Sequence, residues 1–257
     1  MAILFDSIVF GPINSRRFGV SLGINLLPLK NKVCNFNCIY CECGWTDLKT
    51  FDISYFSASD IISAIEERFK QISSDKIHID SITFAGNGEP TMHPKFSVII
   101  DEVIKLRNLY LPGVKISVLS NSTLLGNQSV FDSLKKVEAK VMKLDAGTTE
   151  MLIKIDRPLS SKNIDWYIQK LKELSGELII QTIFLKGFND GEYIDNTTPE
   201  ELVAWIKALK EIKPKSVMIY TIDRDTPVKT LEKIPIEKLN AICDMVIANG
   251  IDAKVYN

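Results

Sequence analysis

The chain has 257 residues, 46% of them hydrophobic and 25% charged, which is the balance of an ordinary folded protein. Its 31 basic and 32 acidic side chains give a net charge of −1 and so no reason to expect a polybasic nucleic-acid or membrane binder. Asp6 comes too early for a secretion signal, and no run of about 18 apolar residues predicts a membrane span. We therefore expect a cytoplasmic protein whose thiols stay reduced.

Short β-branched runs alternate with amphipathic stretches along the chain. Strands are predicted over residues 20–27, 80–85, 114–119, 139–144, 177–184, 216–221 and 251–256. Helices are predicted around residues 61–69, 96–104, 168–174, 202–209 and 239–247. Thr198 is the expected cap in front of Pro199. Right-handed crossovers between such units give a parallel sheet, so we expect an α/β partial (β/α)6 TIM-like barrel, with a doubly wound open sheet as the alternative.

The cysteines are concentrated in one short segment. Of the five, Cys34, Cys38, Cys41 and Cys43 fall between the first predicted strand and the first predicted helix, where barrel enzymes carry their chemistry. The first three have the spacing Cys-x3-Cys-x2-Cys, and three thiolates can hold three irons of a cubane and leave one iron open. A structural zinc site is one alternative, but zinc usually takes a second cysteine pair that Cys243 alone cannot supply. Unrelated buried thiols are the other alternative. We interpret Cys43 as an incidental thiol or one that supports the ligand cysteines, and not as a ligand.

These cysteines also carry a family resemblance. Cys34, Cys38 and Cys41, with Tyr40 before the third, resemble the signature of the radical SAM superfamily. Residues 84–90, Phe-Ala-Gly-Asn-Gly-Glu-Pro, look like the glycine-rich segment of that family. Further segments are similar to small iron–sulfur oxidoreductases related to the wyosine-base synthetases of tRNA: residues 11–23, 143–146, 156–158, 181–182 and 220–224.

The resemblance implies an architecture and a reaction. Residues 1–257 would form a single radical SAM partial barrel, with 1–32 as the N-terminal segment and first strand and 33–56 as the cluster-binding loop. A 4Fe-4S cluster on Cys34, Cys38 and Cys41 would reductively cleave S-adenosylmethionine to a 5′-deoxyadenosyl radical, which abstracts hydrogen from a substrate. The implied electron source is a one-electron donor such as flavodoxin or ferredoxin.

The predicted cofactor-binding residues follow the ends of the strands. Glycines permit close backbone approach, polar side chains reach the ribose or carboxylate, and an arginine can grip a carboxylate with two hydrogen bonds. The set is Tyr40, Gly86, Asn87, Gly88, Glu89, Ser120, Asn121, Lys143, Asp145, Arg157, Gln181 and Tyr220. For each of these residues the alternative is a purely structural role, as a helix or turn cap, a core residue or a surface residue. Asp223 and Arg224 are further candidates for the substrate site.

Three substrate classes remain open: tRNA, a small molecule or peptide, and a partner protein that receives a glycyl radical. Wyosine-type chemistry is expected to need a second cluster, yet no cysteine precedes Cys34. Arg16, Arg17, Lys30 and Lys32 nevertheless form a small basic group near the cysteines. A non-catalytic metal-binding module is the alternative from a different class.

Overall fold

The computed structural model describes residues 3–46 and 54–256. Its strands are β1 (Val9–Ser15), β2 (Gly19–Ile24), β3 (Ser81–Phe84), β4 (Lys115–Ser120), β5 (Ala139–Lys143), β6 (Leu178–Asn189), β7 (Glu192–Asp195), β8 (Ser216–Thr221), β9 (Leu231–Lys233) and β10 (Ala253–Tyr256). Its helices are α1 (Ala58–Ser74), α2 (Phe96–Tyr110), α3 (Gln128–Lys135), α4 (Thr149–Asp156), α5 (Ile164–Lys172), α6 (Pro199–Ile212) and α7 (Ile236–Ala248). A 3-10 turn covers Pro90–Met92.

The main sheet is parallel and curls into a partial barrel, which confirms the predicted fold class. Its strand order is β1-β2-β3-β4-β5-β6-β8-β10, and every neighbouring pair from β2 onward is parallel. β1 lies antiparallel on β2. In the part of the chain that the structure describes, β1 and β10 are the two edges and do not pair with each other. We call the gap between these edges the seam.

The helices form because their apolar residues recur on one face. In α1, Ile61, Ile65 and Phe69 are buried, and the Ser57 side chain accepts from Asp60 N to cap the first turn. In α6, Pro199 stands in the first turn and Thr198 accepts from Glu201 N, as the sequence predicts. All four residues of β3 are buried, as expected for a strand covered on both faces.

Among the strands, the first parallel strand and β6 differ most in extent from the predicted ones. The first parallel strand ends at Ile24 rather than at residue 27, because the Asn25 side chain accepts from Leu27 N at 3.2 Å and donates to Leu27 O at 3.0 Å. This local turn competes with the strand ladder. β6 continues to Asn189, beyond the barrel, where β7 and β9 pair with it antiparallel as a surface ribbon.

Among the described residues, none of the helices combines the length and the apolar character that crossing a bilayer requires.

Candidate active site

Backbone hydrogen bonds fix the cysteine loop against the barrel. Val33 N donates to Asn87 O at 2.8 Å, and Glu89 N donates to Val33 O at 3.0 Å. On the opposite side, Ile39 N donates to Ile155 O at 2.9 Å. Gly88 has φ +139°, and a Cβ there would stand 1.8 Å from Val33 O. Glycine is therefore required at this position for conformation and for space. Residues 47–53 of the predicted cluster loop lie outside the described residues.

Four of the cysteines, Cys34, Cys38, Cys41 and Cys43, share one cavity of about 210 Å3, which we call the cysteine cavity. It is lined by Lys32, Cys34, Phe36, Cys38, Tyr40, Cys41, Cys43, Ala85, Gly86, Gly88, Glu89, Leu119, Ser120, Asn121, Lys143 and Gln181. The structure thus brings most of the predicted cofactor-binding residues together. Cys34 and Cys38 are buried, Cys41 is half-buried, and all three are free thiols. The cavity lies at the carboxyl ends of the parallel strands, where ligands bind in such folds.

The environment of each thiol sets its protonation. A hydrogen bond from the Cys43 side chain, opposed by burial and assisted by the Lys32 ammonium, lowers the pKa of Cys41 to about 6. Burial raises the pKa of Cys34 to about 11 and also raises that of Cys38. Burial works against the charge of Lys32, but the neighbouring thiolates outweigh it and raise the pKa of this lysine. Cys43 was predicted to be an incidental or a supporting thiol; it lines the cavity, and its position favours the thiolate of Cys41.

Glu89 braces the ends of β3 and β4. Its carboxylate is buried and accepts from Ser120 Oγ at 2.9 Å, Asn121 N at 2.7 Å and Thr91 N at 3.1 Å. Burial raises the pKa of Glu89, while these hydrogen bonds act in the opposite sense. Asn87 has a similar bracing position, since its side chain donates to Phe5 O and to Pro28 O, each at 2.9 Å. Asn87 does not line the cysteine cavity.

A buried charge network stands beside Cys38. Lys143 Nζ lies 2.8 Å from Asp145 Oδ2 and 3.5 Å from Asp156 Oδ1. Tyr40 bridges the first two residues, because its hydroxyl accepts from Lys143 Nζ and donates to Asp145 Oδ2. Burial alone would lower the pKa of Lys143, but Asp145, Cys38 and Asp156 together raise it well above the ordinary lysine value.

Asp156 is a site residue that sequence reasoning did not assign. Cys38 Sγ donates to its Oδ1 at 3.2 Å, while its Oδ2 is buried without a hydrogen-bond partner among the described residues. Burial raises the pKa of Asp156 to about 7. The available signal was its place in the segment 156–158, but nothing local indicates that Asp156 points inward.

Four of the predicted cofactor-binding residues do not line the cysteine cavity: Asn87, Asp145, Arg157 and Tyr220. Arg157 is exposed; its Nη1 is 3.4 Å from Asp190 Oδ2 and its guanidinium carbon is 5.3 Å from the ring centre of Trp45. Its role toward the cofactor carboxylate stays a prediction that this placement does not support. Tyr220 lines a second cavity, described next, and burial raises its pKa to about 12.

The second cavity, of about 260 Å3, lies at the seam, and we call it the seam cavity. It is lined by Arg16, Arg17, Tyr40, Cys41, Glu42, Ile183, Tyr220, Thr221, Ile222, Asp223, Arg224, Thr226 and Tyr256. Contacts cross the seam at this level. Arg16 Nη2 is 3.1 Å from Asp223 Oδ2, and Arg224 Nη1 is 2.9 Å from Glu42 Oε2. Tyr40 and Cys41 belong to both cavities, which are therefore adjacent.

The donor set fits an iron–sulfur cluster. The free thiols of Cys34, Cys38 and Cys41 face one cavity together with two lysines that favour their ionised form, and thiolates are the usual ligands of such clusters. Within residues 3–46 and 54–256, no group of three or more Cys, His, Asp or Glu side chains is arranged to hold a single metal ion. A cluster does not need convergence on one point, because each iron takes its own thiolate.

A curled parallel sheet with a cysteine-rich loop at its carboxyl edge is an arrangement found in enzymes of the partial-barrel class. The model of the Radical SAM superfamily matches residues 30–196, and the chain belongs to that superfamily. Enzymes of this superfamily use a 4Fe-4S cluster and S-adenosylmethionine.

Several proteins are similar to the chain in sequence. A UPF0026 protein of Helicobacter pylori is 34% identical over 226 residues, which cover 86% of this chain and 68% of that protein. A UPF0026 protein of Methanocaldococcus jannaschii is 30% identical over 253 residues, covering 96% and 73%. A Brachyspira hyodysenteriae protein named GTPase Obg is 33% identical over 223 residues, which cover 85% of this chain but only 30% of that relative.

Solved structures share the fold. A radical SAM methyltransferase from Sphaerobacter thermophilus superposes with a TM-score of 0.65 at 14% identity, covering 91% of this chain and 65% of that one. SuiB of Streptococcus suis, crystallised with S-adenosylmethionine, superposes with a TM-score of 0.65 at 15% identity. The superposition covers 91% of this chain and 50% of SuiB. At these identities the likeness concerns the fold alone.

Proposed function

We propose that Cys34, Cys38 and Cys41 hold the 4Fe-4S cluster and that the fourth iron binds S-adenosylmethionine within the cysteine cavity. The single observation that carries this proposal is that Cys34, Cys38 and Cys41 share one cavity with two lysines at the carboxyl edge of the barrel. When bound, the cluster supplies one electron that cleaves S-adenosylmethionine to a 5′-deoxyadenosyl radical, which abstracts hydrogen from the substrate.

The residues of this chain bind the cofactor and exclude water from it. Phe36 and Leu119 give the cavity apolar walls. Phe36 N lies 3.4 Å from Cys34 Sγ and Asn121 Nδ2 lies 3.6 Å from the same atom, so both can donate to the bound thiolate. Such donors tune the potential of a cluster.

The remaining polar groups are assigned to the organic part of the cofactor. The backbone at Gly86 and Gly88 allows close approach of the methionine amino group. Ser120, Asn121 and Gln181 offer hydroxyl and amide groups to the ribose or carboxylate. Lys143, held by Asp145 and Tyr40, positions a cation at the cavity wall.

We propose further that residues 1–257 act as one domain in the cytoplasm, where an electron donor of the flavodoxin or ferredoxin kind is available. The adjacency of the seam cavity to the cysteine cavity supports hydrogen abstraction from a substrate bound at the seam. The wyosine-type tRNA reaction and glycyl-radical activation stay alternatives to reaction with a small molecule or peptide.

Anaerobic reconstitution with iron and sulfide tests the proposal. We expect a brown protein with about four irons per chain that forms 5′-deoxyadenosine from S-adenosylmethionine under dithionite. Cys34→Ala, Cys38→Ala and Cys41→Ala should each abolish cleavage, whereas Cys243→Ala, the matched control on α7, should retain it. Cys43→Ala should also keep the cluster. A colourless zinc protein, or loss of the cluster in Cys43→Ala, would contradict the ligand assignment.

A further inference from the structure

The seam cavity contains a guanidinium whose partner is neutral. Arg17, in the turn between β1 and β2, is half-buried, and its Nη1 donates to Gln181 Oε1 at 2.7 Å. Among the described residues, which omit 1–2, 47–53 and 257, no carboxylate forms an ion pair with Arg17. A cation that is partly withdrawn from water without a counter-charge is unfavourable. An anion placed beside Arg17 would relieve that cost.

The carboxylates around the seam cavity are committed to other cations. Asp223 pairs with Arg16, and Glu42 pairs with Arg224. Asp145, which stands in the neighbouring charge network, accepts from Ile183 N at 2.9 Å through Oδ1 and from Lys143 and Tyr40 through Oδ2. None of these three carboxylates is free to neutralise Arg17 without giving up a present partner.

Aromatic rings hold the guanidinium in a defined place. The Arg17 guanidinium carbon lies 5.1 Å from the ring centre of Tyr220 and 5.6 Å from that of Phe18. Stacking of this kind orients the plane of an arginine and leaves its N–H edge for paired hydrogen bonds to an oxyanion. Gln181 lines the cysteine cavity, whereas Arg17 does not. Arg17 therefore reaches that cavity only through its hydrogen bond to Gln181.

We infer that the seam cavity binds the substrate through an anionic oxyacid group, a carboxylate or a phosphate, that pairs with Arg17. The cavity shares Tyr40 and Cys41 with the cysteine cavity, so a ligand held there lies beside the reacting centre. Its volume of about 260 Å3 suits a small molecule or a single anionic fragment of a larger one. Calling this ligand the substrate rests on the proposed function.

Calorimetric titration of the reconstituted protein, saturated with S-adenosylmethionine, tests the inference. The probes are benzoate, phenyl phosphate and, as the neutral analogue, benzyl alcohol. We expect at least one anion to bind more tightly than benzyl alcohol. Arg17→Gln should weaken the binding of that anion by about tenfold to a hundredfold, which is the range for losing a hydrogen bond to a charged group. Arg68→Gln, an arginine of α1 outside both cavities, is the control and should bind like the wild type.

Preference between benzoate and phenyl phosphate identifies the oxyacid. Should Arg17→Gln fail to fold, Arg17→Lys serves instead; it keeps the charge, loses the paired geometry and should retain the anion preference with weaker affinity. Equal anion affinity in the wild type and the Arg17 variant, or no anion binding to the wild type, overturns the inference. An Arg17 variant that weakens the binding of S-adenosylmethionine but not that of the anion would also overturn the inference. Calorimetry measures binding of the anion without any reaction. A protein that binds the anion but fails to cleave S-adenosylmethionine would therefore contradict the proposed function and not this inference.

Discussion

At the scale of single residues, the interior of the barrel is unusual for the charge that it holds next to the thiols. Lys143, Asp145 and Asp156 are all buried or nearly so, with side-chain exposures of 14%, 0% and 1%. Each ion is tolerated there because the others are present. The stability of the chain should therefore depend on the balance of this network rather than on any one member.

Lys143→Met removes the cation and leaves two buried carboxylates facing each other. We expect a loss of about 3–5 kcal/mol in the free energy of unfolding, the usual consequence of stranding a buried charge. Urea denaturation followed by circular dichroism measures it. The double variant Lys143→Met/Asp145→Asn should recover part of the loss, because one of the stranded charges is then removed. A loss below about 1 kcal/mol in the single variant would show that the network is solvated.

Gly88→Ala tests the contact between the glycine segment and the cysteine loop. A Cβ at Gly88 would meet Val33 O, so the loop must shift and we expect fewer irons per chain after reconstitution as well as a lower melting temperature. Gly113→Ala is the matched control. Gly113 also has a positive φ, of +85°, but nothing lies within 4 Å of the added carbon. The Gly113→Ala variant should lower the free energy of unfolding only by the backbone strain, about 1 kcal/mol, and should leave the iron content unchanged. Equal iron content in both variants would refute this role of Gly88.

At the scale of elements, one ion pair joins α2 to neighbouring strands. Arg107 Nη2 lies 3.1 Å from Glu138 Oε1, and Ile116 N of β4 donates to Glu138 Oε2 at 2.8 Å. Partial burial raises the pKa of Glu138, but these two donors outweigh burial and hold the pKa below the ordinary 4.5. A carboxylate with a depressed pKa stabilises the fold above its unfolded pKa and loses that contribution as the pH falls through its folded value.

Glu138→Gln should accordingly be less stable than the wild type at neutral pH, with a difference that shrinks as the pH falls below 4.5. Thermal unfolding across pH 7 to about 3 measures the effect. Glu67→Gln, which removes one carboxylate at an exposed position of α1, is the matched control. A difference for Glu138→Gln that grows toward acid pH would reverse the assigned sign.

The elements predicted from periodicity are those with long apolar faces. The parallel strands of the barrel and the helices α1, α2, α5, α6 and α7 follow from local pattern, although α5 begins at Ile164, before its predicted start at residue 168. The eight-residue helices α3 and α4 were not predicted, because so short a helix has too few apolar residues to show a period. β1 and the ribbon of β7 and β9 were missed because they depend on pairing with distant strands.

Parts of the site were accessible to sequence reasoning to different degrees. The cysteines and Gly86–Glu89 are local motifs, and alternation along β5 pointed Lys143 inward. The end of α4 was not accessible in this way. Arg157 caps this helix in the left-handed conformation, with φ 47°, and at this turn Asp156 is buried while Arg157 is exposed. Which of two adjacent residues enters the barrel thus depends on a helix terminus that no periodicity reveals.

At the scale of the whole molecule, the two edges of the sheet meet through side chains rather than through a backbone ladder. The pairs Arg16–Asp223 and Arg224–Glu42 cross the seam, and all four side chains are more than 40% exposed. Exposed pairs of this kind contribute little to stability, with a median of about 0–1 kcal/mol. Buried strand and helix contacts therefore hold the barrel in its curled shape.

Arg224→Gln should lower the free energy of unfolding by less than about 1 kcal/mol, and the difference should vanish at high salt. Urea denaturation at low and high ionic strength measures both quantities. Arg107→Gln, which removes the half of an ion pair that is only 10% exposed, is the comparison and should cost more at either salt concentration. A larger loss for Arg224→Gln than for Arg107→Gln would mean that the seam pairs close the barrel.

The backbone bonds at Val33 and Ile39 hold the cysteine loop at two points, against the segment that follows β3 and against the end of α4. Cys34 and Cys38 lie between these two anchors, so peptide hydrogen bonds restrict how far the two thiols can move apart. The spacing of this pair should therefore change little when the ligand of the thiols changes.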